Sequence, residues 1–393
     1  MANASTTTWI FERARQLGFA MAGVVHAEKF PELKKQEEWL GRGYAGEMKY
    51  LSDARRSDPQ TTMPGVKSVI VCALTYNTGH PRTSQAFADL GDATEARGPR
   101  GWISRYAWGN DYHDVSREKL QLLLHDLRDH CPQPFDARIY ADTGPINERV
   151  LAKHAGLGWL GKNTLLLDER VGSFFFLGVI LTTLDLQPTL GIANLPPADR
   201  CGTCRKCIDA CPTDALVEPY LMDARKCISY LTIELRGSIP ENLREPMGQH
   251  IFGCDVCQDV SPWNRQAPLT SAKEFQPRSF PQASTTNEEE FGLTKKNGHS
   301  RESLFLPRLE WLASLTHSDF TEIFRGSPIK RTKWQGLIRN VCIALGNSSP
   351  ADLAASKRVL SVLATLAAST DSVVAESAQW AISRIQANEA SKS

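Results

Sequence analysis

The sequence predicts an α+β multidomain protein. Residues 1–194 alternate helical and strand-like apolar patterns, residues 195–265 hold seven of the ten cysteines, and residues 304–393 show helical spacing alone. A length of 393 residues suits two to three domains of about 150 residues. The expected layout is a mixed α/β domain (1–194), a ferredoxin-like iron–sulfur domain (195–265), a linker or surface insertion (266–303) and a HEAT-like helical domain (304–393).

Taken in order, Trp9–Leu17 reads as a first helix and Ala20–Val25 as a short strand. Ser68–Leu74 is a continuous apolar run, the pattern of a buried strand. Val115–Leu127 places Leu120, Leu123, Leu124 and Leu127 on one helical face. Ala137–Ala141 reads as a strand that ends at Asp142, residues 146–154 can form a helix, and Gly156, Gly158 and Gly161 punctuate a turn. Gly172–Thr183 is another buried strand. Few apolar elements occur in 195–265, so metal is expected to organise that segment. Residues 266–303 are polar. Beyond them Trp334, Leu337, Ile338, Val341 and Leu345 share a helical face, as do Val374, Ala378, Ala381 and Ile385, with Leu353–Leu366 between.

Lys+Arg number 45 against Asp+Glu 44, so the net charge is +1 and any nucleic acid must be held by a local patch. The longest strongly apolar stretch, Phe174–Leu181, has eight residues, where a membrane-spanning helix needs about 20. Glu12, Arg13 and Arg15 stand where a signal peptide requires an apolar run, and Arg55-Arg56 lies too far in for a twin-arginine signal. A cytoplasmic protein without a membrane partner is expected.

Clustered cysteines in a reducing compartment point to metal rather than disulfides. Cys201-x2-Cys204-x2-Cys207-x3-Cys211-Pro212 has the bacterial ferredoxin spacing, in which three thiolates wrap one cubane and the fourth crosses to the other. Zinc instead favours paired CxxC knuckles a dozen or more residues apart. Cys211 with Cys227, Cys254 and Cys257 completes one four-thiolate set. The first cluster then needs a crossed ligand after Cys257, and the expected position holds Ser261, followed by Pro262. Three readings stand: Ser261 ligates as an alkoxide, which is expected to lower the reduction potential; the site holds a three-iron cluster or an iron with an exogenous ligand; or another residue swings in. A cluster completed by Ser261 or solvent is the preferred expectation. Cys72 and Cys342 sit in apolar runs and read as core.

GYAGEM (43–48), RSDP (56–59), SRYAWGNDYH (104–113), DTGPINER (142–149), AGLGWLGKN (155–163), GSFFFLG (172–178), the cysteine motif, ARKCISYLTIE (224–234) and FGCDVCQ (252–258) together resemble the epoxyqueuosine reductase family over nearly the whole chain. Ser261 and the stretch near 280–300 depart from its pattern. The resemblance implies cobalamin and two [4Fe-4S] clusters, and removal of the epoxide oxygen of epoxyqueuosine at the wobble position of a tRNA anticodon. Electrons would come from a low-potential donor that the sequence does not name. Nothing calls for more than a monomer.

By the same resemblance Asp142 is the proton donor to the departing oxygen; from the residues alone it reads as a turn or N-cap aspartate. Burial against a corrin is expected to raise its pKa. Arg56, Arg105, Lys162, Asn163, Leu166, Leu177 and Ile228 are carried over, with Asp142, as cobalamin contacts. AGLGWLGKN lacks the phosphate-loop spacing, and its glycines are expected to let backbone approach the corrin. No DxHxxG motif follows Asp111-Tyr112-His113, so the cobalt is expected base-off. Arg325, Lys330, Arg331, Lys333 and Arg339 form a basic run for tRNA phosphates, with a solvated helix face as the plainer reading. Trp334 could stack a base, although its spacing reads as core. A cobalamin-dependent reductive dehalogenase-like reductase of a small molecule and an electron-transfer iron–sulfur protein are the alternatives.

Overall fold

The structure, a computed structural model, describes residues 4–90, 98–191, 195–281, 301–348, 350 and 352–390. It forms two compact units. One comprises Met1–His80, Asp111–Glu234 and Asp255–Glu274, the other Pro81–Asn110, Leu235–Cys254 and Phe275–Ser393.

The first unit is built on a four-stranded antiparallel sheet of β1 (Met21–His26), β2 (Ser68–Thr75), β3 (Ala137–Tyr140) and β4 (Phe175–Thr182), in the order β1-β2-β4-β3. The central strands β2 and β4 are covered on both faces, which explains their unbroken apolar runs. Val69, Val71, Ala73, Val179 and Leu181 pack in one core with Val150, Leu151 and Ala152 of the helix Glu148–His154. On the opposite face the helix Tyr112–His130 approaches at Gly178, where a Cβ would meet Leu120 Cδ1 at 2.6 Å. Leu120, Leu123, Leu124 and Leu127 are buried along that helix, as their spacing predicts.

The first helix runs Ala4–Gln16 and starts before the predicted Trp9. Its polar Ser-Thr-Thr-Thr opening reads as coil, yet Thr6 and Thr7 are buried and Thr7 Oγ1 donates to Gln187 O at 3.0 Å. Tertiary contacts override local propensity there. The strand predicted from Gly172 begins only at Phe175, because Gly172 adopts a positive φ of 74°.

In the second unit three helices, Lys333–Asn347, Leu353–Ala367 and Ser372–Ala390, pack together. Leu337, Ile338, Val341 and Leu345 are buried, as are Val374, Ala378, Ala381 and Ile385. Residues 304–332 depart from the all-helical expectation: short helices at Leu309–Ala313 and His317–Ile323 follow an extended entry. The predicted linker is structured at both ends. Ser279–Pro281 pairs antiparallel with Arg301–Ser303, and Phe275 is buried. Residues 282–300 lie outside the described residues. No helix among the described residues is long and apolar enough to cross a membrane.

Candidate active site and cluster ligands

Asp142 stands just past the end of β3. The ladder between β3 and β4 ends two residues before it, at the pair Tyr140–Val179. Asp142 takes a left-handed φ of 59°, a conformation aspartate tolerates better than most residues. Its backbone N–H donates to Glu148 Oε1 at 2.7 Å, and its Oδ2 accepts a short hydrogen bond from the Tyr112 hydroxyl. Tyr112 is stacked on Phe176 of β4 at 4.2 Å between ring centroids and on His113 at 4.0 Å. His113 Nδ1 meets Asp111 Oδ1 at 2.6 Å, and its Nε2 lies 3.6 Å from Asp142 Oδ2. Asp111 also caps the helix that carries both aromatic residues.

These groups divide their protons unevenly. Burial opposes the charged form of His113, but its hydrogen bonds to Asp111 and Asp142 and their negative charges win, raising its pKa to about 9. Burial and the neighbouring Asp142 charge push Glu148 up to about 8. Burial would also raise Asp142, yet the hydrogen bonds from His113 and Tyr112 and the cations His113 and Arg149 hold it below the ordinary carboxylate range. In the protein alone these contacts outweigh burial at Asp142, while His113 and Glu148 keep their protons near neutral pH. The Asp142 side chain keeps 59% of its accessibility, so its carboxylate is exposed.

The expected cobalamin contacts distribute differently from the expectation. Arg56 donates to Tyr50 O and to Ile146 O at 3.2 and 2.9 Å, on the chain leading into Glu148. The Lys162 ammonium is buried and donates to Gly202 O (2.5 Å) and Cys204 O (2.9 Å), so it braces the loop of the first cysteine motif instead of offering a cation to a ligand. Asn163 Nδ2 reaches Cys257 O at 3.5 Å. Leu166 and Ile228 are buried and Leu177 is half-buried. Arg105, in the second unit, is buried, donates to Pro81 O at 3.1 Å and lies over the Trp108 ring. The glycine turn also serves a different purpose. A Cβ on Gly158 would fall 2.0 Å from Leu167 O, and one on Gly161 2.4 Å from Leu167 Cδ1. Those glycines permit contact of the chain with itself, in the hairpin that pairs Trp159–Leu160 with Leu166–Leu167. The exposed Asp142 carboxylate is open to a ligand, whereas the cations expected to grip a cofactor are held by backbone carbonyls.

The cysteine segment fits clusters through its donors. Trp159 Nε1 is buried without an oxygen or nitrogen partner, and this indole acts on the Cys201 sulfur. Ala215 N donates to Cys211 Sγ at 3.3 Å, and the backbone N–H groups of Ser229 and Tyr230 turn toward Cys227. Such N–H donors stabilise charge on cluster sulfurs. Cys257 is raised by burial and by Cys227, Cys207 and Cys211 nearby, a gathering of thiols that bound iron would hold as thiolates. Among the described residues no three ligating side chains form a single-ion site; a cubane places each thiolate on a different iron. Cys72 and Cys342 are core residues, both buried and pushed up to about 12 by burial.

In the second unit Arg325, Lys330, Arg331 and Lys333 are exposed. Arg339 is not: it is wholly buried and donates to Leu235 O (2.8 Å), Gly237 O (2.6 Å) and Asn340 Oδ1. It leaves the basic patch and becomes a tie between the helix Lys333–Asn347 and the chain at 235–237. Arg339→Leu should destabilise the protein by about 3 kcal/mol, because the carbonyls of Leu235 and Gly237 and the buried Asn340 Oδ1 lose their donor. Thermal unfolding checks this, and an unchanged midpoint contradicts it. Trp334 is half-buried with Nε1 donating to Leu315 O at 2.7 Å, in keeping with the core reading.

Sequence reasoning treated Asp111-Tyr112-His113 only as a failed cobalamin motif, and missed Tyr112, His113, Glu148 and Arg149. The signal was present: SRYAWGNDYH and DTGPINER carry all four, and the fold brings the two blocks together.

Comparison with known proteins is consistent across sequence and structure. The family model "Epoxyqueuosine reductase QueG, DUF1730" matches residues 56–143, and "4Fe-4S double cluster binding domain" matches residues 200–264. An epoxyqueuosine reductase of Xanthomonas campestris is 35% identical over 373 residues, covering 94% of each chain. One of Gloeobacter violaceus is 40% identical over 357 residues, covering 88% of this chain and 97% of its own. A crystal structure of epoxyqueuosine reductase with an epoxyqueuosine-modified tRNA-Tyr stem loop superposes with a TM-score of 0.77 at 28% identity, over 97% of this chain and 90% of that one. A Bacillus subtilis epoxyqueuosine reductase, with its aspartate catalytic loop swung out of the active site, superposes with a TM-score of 0.75 at 27% identity, over 97% and 90%.

Proposed function

The chain belongs to the epoxyqueuosine reductase family, and from that premise we propose that it reduces epoxyqueuosine to queuosine at the wobble position of tRNA anticodons, using cobalamin and two [4Fe-4S] clusters. The observation that carries this reading is the arrangement at the sheet end. An exposed carboxylate has two proton-bearing groups hydrogen-bonded or close to it.

Removing an epoxide oxygen as water takes two electrons and two protons. Bound cobalamin would supply a low-valent cobalt for the C–O bond, and the clusters would deliver electrons singly. The chain's residues handle the protons. Asp142 donates to the departing oxygen and is recharged from Tyr112 and His113. A substrate that covers the Asp142 carboxylate removes water from it, which raises its proton affinity toward that of its neighbours. Asn163, Leu166, Leu177 and Ile228 hold the cofactor, with Arg56. Cys201, Cys204 and Cys207 bind the first cluster; Cys211, Cys227, Cys254 and Cys257 bind the second. Arg325, Lys330, Arg331 and Lys333 meet tRNA phosphates from the helical domain, which we read as HEAT-like. The protein acts as a cytoplasmic monomer served by a separate low-potential electron donor.

Turnover should fall as pH rises through about 8 to about 9, where Glu148 and then His113 lose their protons. Both pKa values are raised, so the protonated forms persist below that window and are lost above it. His113→Asn should remove the upper step; an unaltered alkaline limb in that variant contradicts the proton assignment. The function itself is tested by expressing the chain in bacteria that lack their own epoxyqueuosine reductase. Queuosine should reappear in their tRNA, and persistence of epoxyqueuosine alone contradicts the proposal.

A further inference from the structure

The two cysteine motifs are one backbone structure built twice. Residues 205–211 and 255–261 match at a constant offset, and the two segments differ beyond it at Asp214, whose φ of 50° Asn264 does not share. Ile208 N donates to Arg205 O and Gln258 N to Asp255 O, both at 2.9 Å. Ala210 N to Lys206 O (3.1 Å) corresponds to Val260 N to Val256 O (3.2 Å). Cys211 N to Ile208 O and Ser261 N to Gln258 O are both 3.1 Å. Asp214 N to Cys211 O (3.3 Å) corresponds to Asn264 N to Ser261 O (3.1 Å). The flanking dihedrals agree as well: Arg205 (φ −124°, ψ 6°) with Asp255 (−111°, 0°), and Ala210 (−91°, −5°) with Val260 (−83°, −8°). The short helices Lys206–Asp209 and Val256–Asp259 pack on each other.

Cys211 closes the first repeat and lies near Cys227 and Cys257, the thiols of the other group. Ser261 closes the second repeat at the equivalent backbone position, so the same crossing directs it to Cys201, Cys204 and Cys207. It is 6% exposed, and its side chain makes no hydrogen bond to the short helix that it opens.

We propose that Ser261 Oγ is the fourth protein ligand of the first cluster, giving one cubane held by three thiolates and an alkoxide beside one held by four thiolates. This rests on the reading of residues 200–264 as a double-cluster domain. The Fe–O bond forms as the hydroxyl releases its proton to solvent, with no change of iron oxidation state. The harder oxygen donor lowers the potential of the first cluster relative to a cysteine-ligated one.

The test uses the full chain, reconstituted anaerobically with iron and sulfide, as wild type, Ser261→Cys and Ser261→Ala. Wild type and Ser261→Cys should each hold about eight irons, and Ser261→Ala about seven with the EPR signal of an oxidised three-iron cluster. The potential of one cluster should rise in Ser261→Cys while the other stays unchanged. Unaltered iron content and potentials in Ser261→Ala would overturn the ligand assignment, as would a wild type that already shows the three-iron signal. About four irons in all three proteins would instead overturn the double-cluster reading itself.

Discussion

Asp142→Ala should retain its clusters and its cobalamin and lose turnover by about 10²–10⁴-fold, the range of a general acid. The side chain is held by Tyr112 and approached by His113, and it is exposed, so its removal uncovers no buried core. Asp142→Asn separates position from protonation. It can keep the Tyr112 and Glu148 contacts but cannot pass a proton, and it should be nearly as slow. Single-turnover conversion of modified tRNA, with iron and cobalt counted in the same sample, checks both variants. Wild-type turnover in either removes Asp142 from the mechanism. Loss of cobalt from Asp142→Ala would make it a binding residue instead.

The second large effect is expected at the cysteines. Cys257→Ala should halve the iron content and abolish turnover driven by a chemical reductant. Cys257 is half-buried within electrostatic reach of Cys227, Cys211 and Cys207. The secondary structure of the sheet in the first unit should survive, because its core of β2, β4 and the helix Glu148–His154 contains none of the seven clustered cysteines. Iron analysis and circular dichroism give the two readouts. Full turnover with one cluster missing would show that the second cluster is not on the electron path.

Much of this could be read from the chain. The buried strands, the leucine face of Tyr112–His130 and the C-terminal helical faces are periodic patterns, and periodicity survives folding. The cysteine spacing and the departure at Ser261 are local, and so were legible too. Three features were not. Arg339 falls in a cationic run, and only the carbonyls of Leu235 and Gly237 show that its charge is turned inward. Lys162 follows a glycine turn suited to a ligand, yet its partners lie in the cysteine loop about forty residues on. The proton balance between Asp142, Glu148 and His113 depends on which carboxylate accepts which hydrogen bond, and that is settled by the fold alone. Charged side chains are versatile, so their partners, rather than their identities, decide their roles.

The most direct measurement is conversion of epoxyqueuosine-bearing tRNA by the anaerobically reconstituted chain, with and without added cobalamin, under a chemical reductant. The expected result is queuosine only when cobalamin is bound, with Co(II) base-off by EPR before turnover. Queuosine formed at the same rate without cobalt, or epoxyqueuosine left intact with all cofactors loaded, would contradict the account.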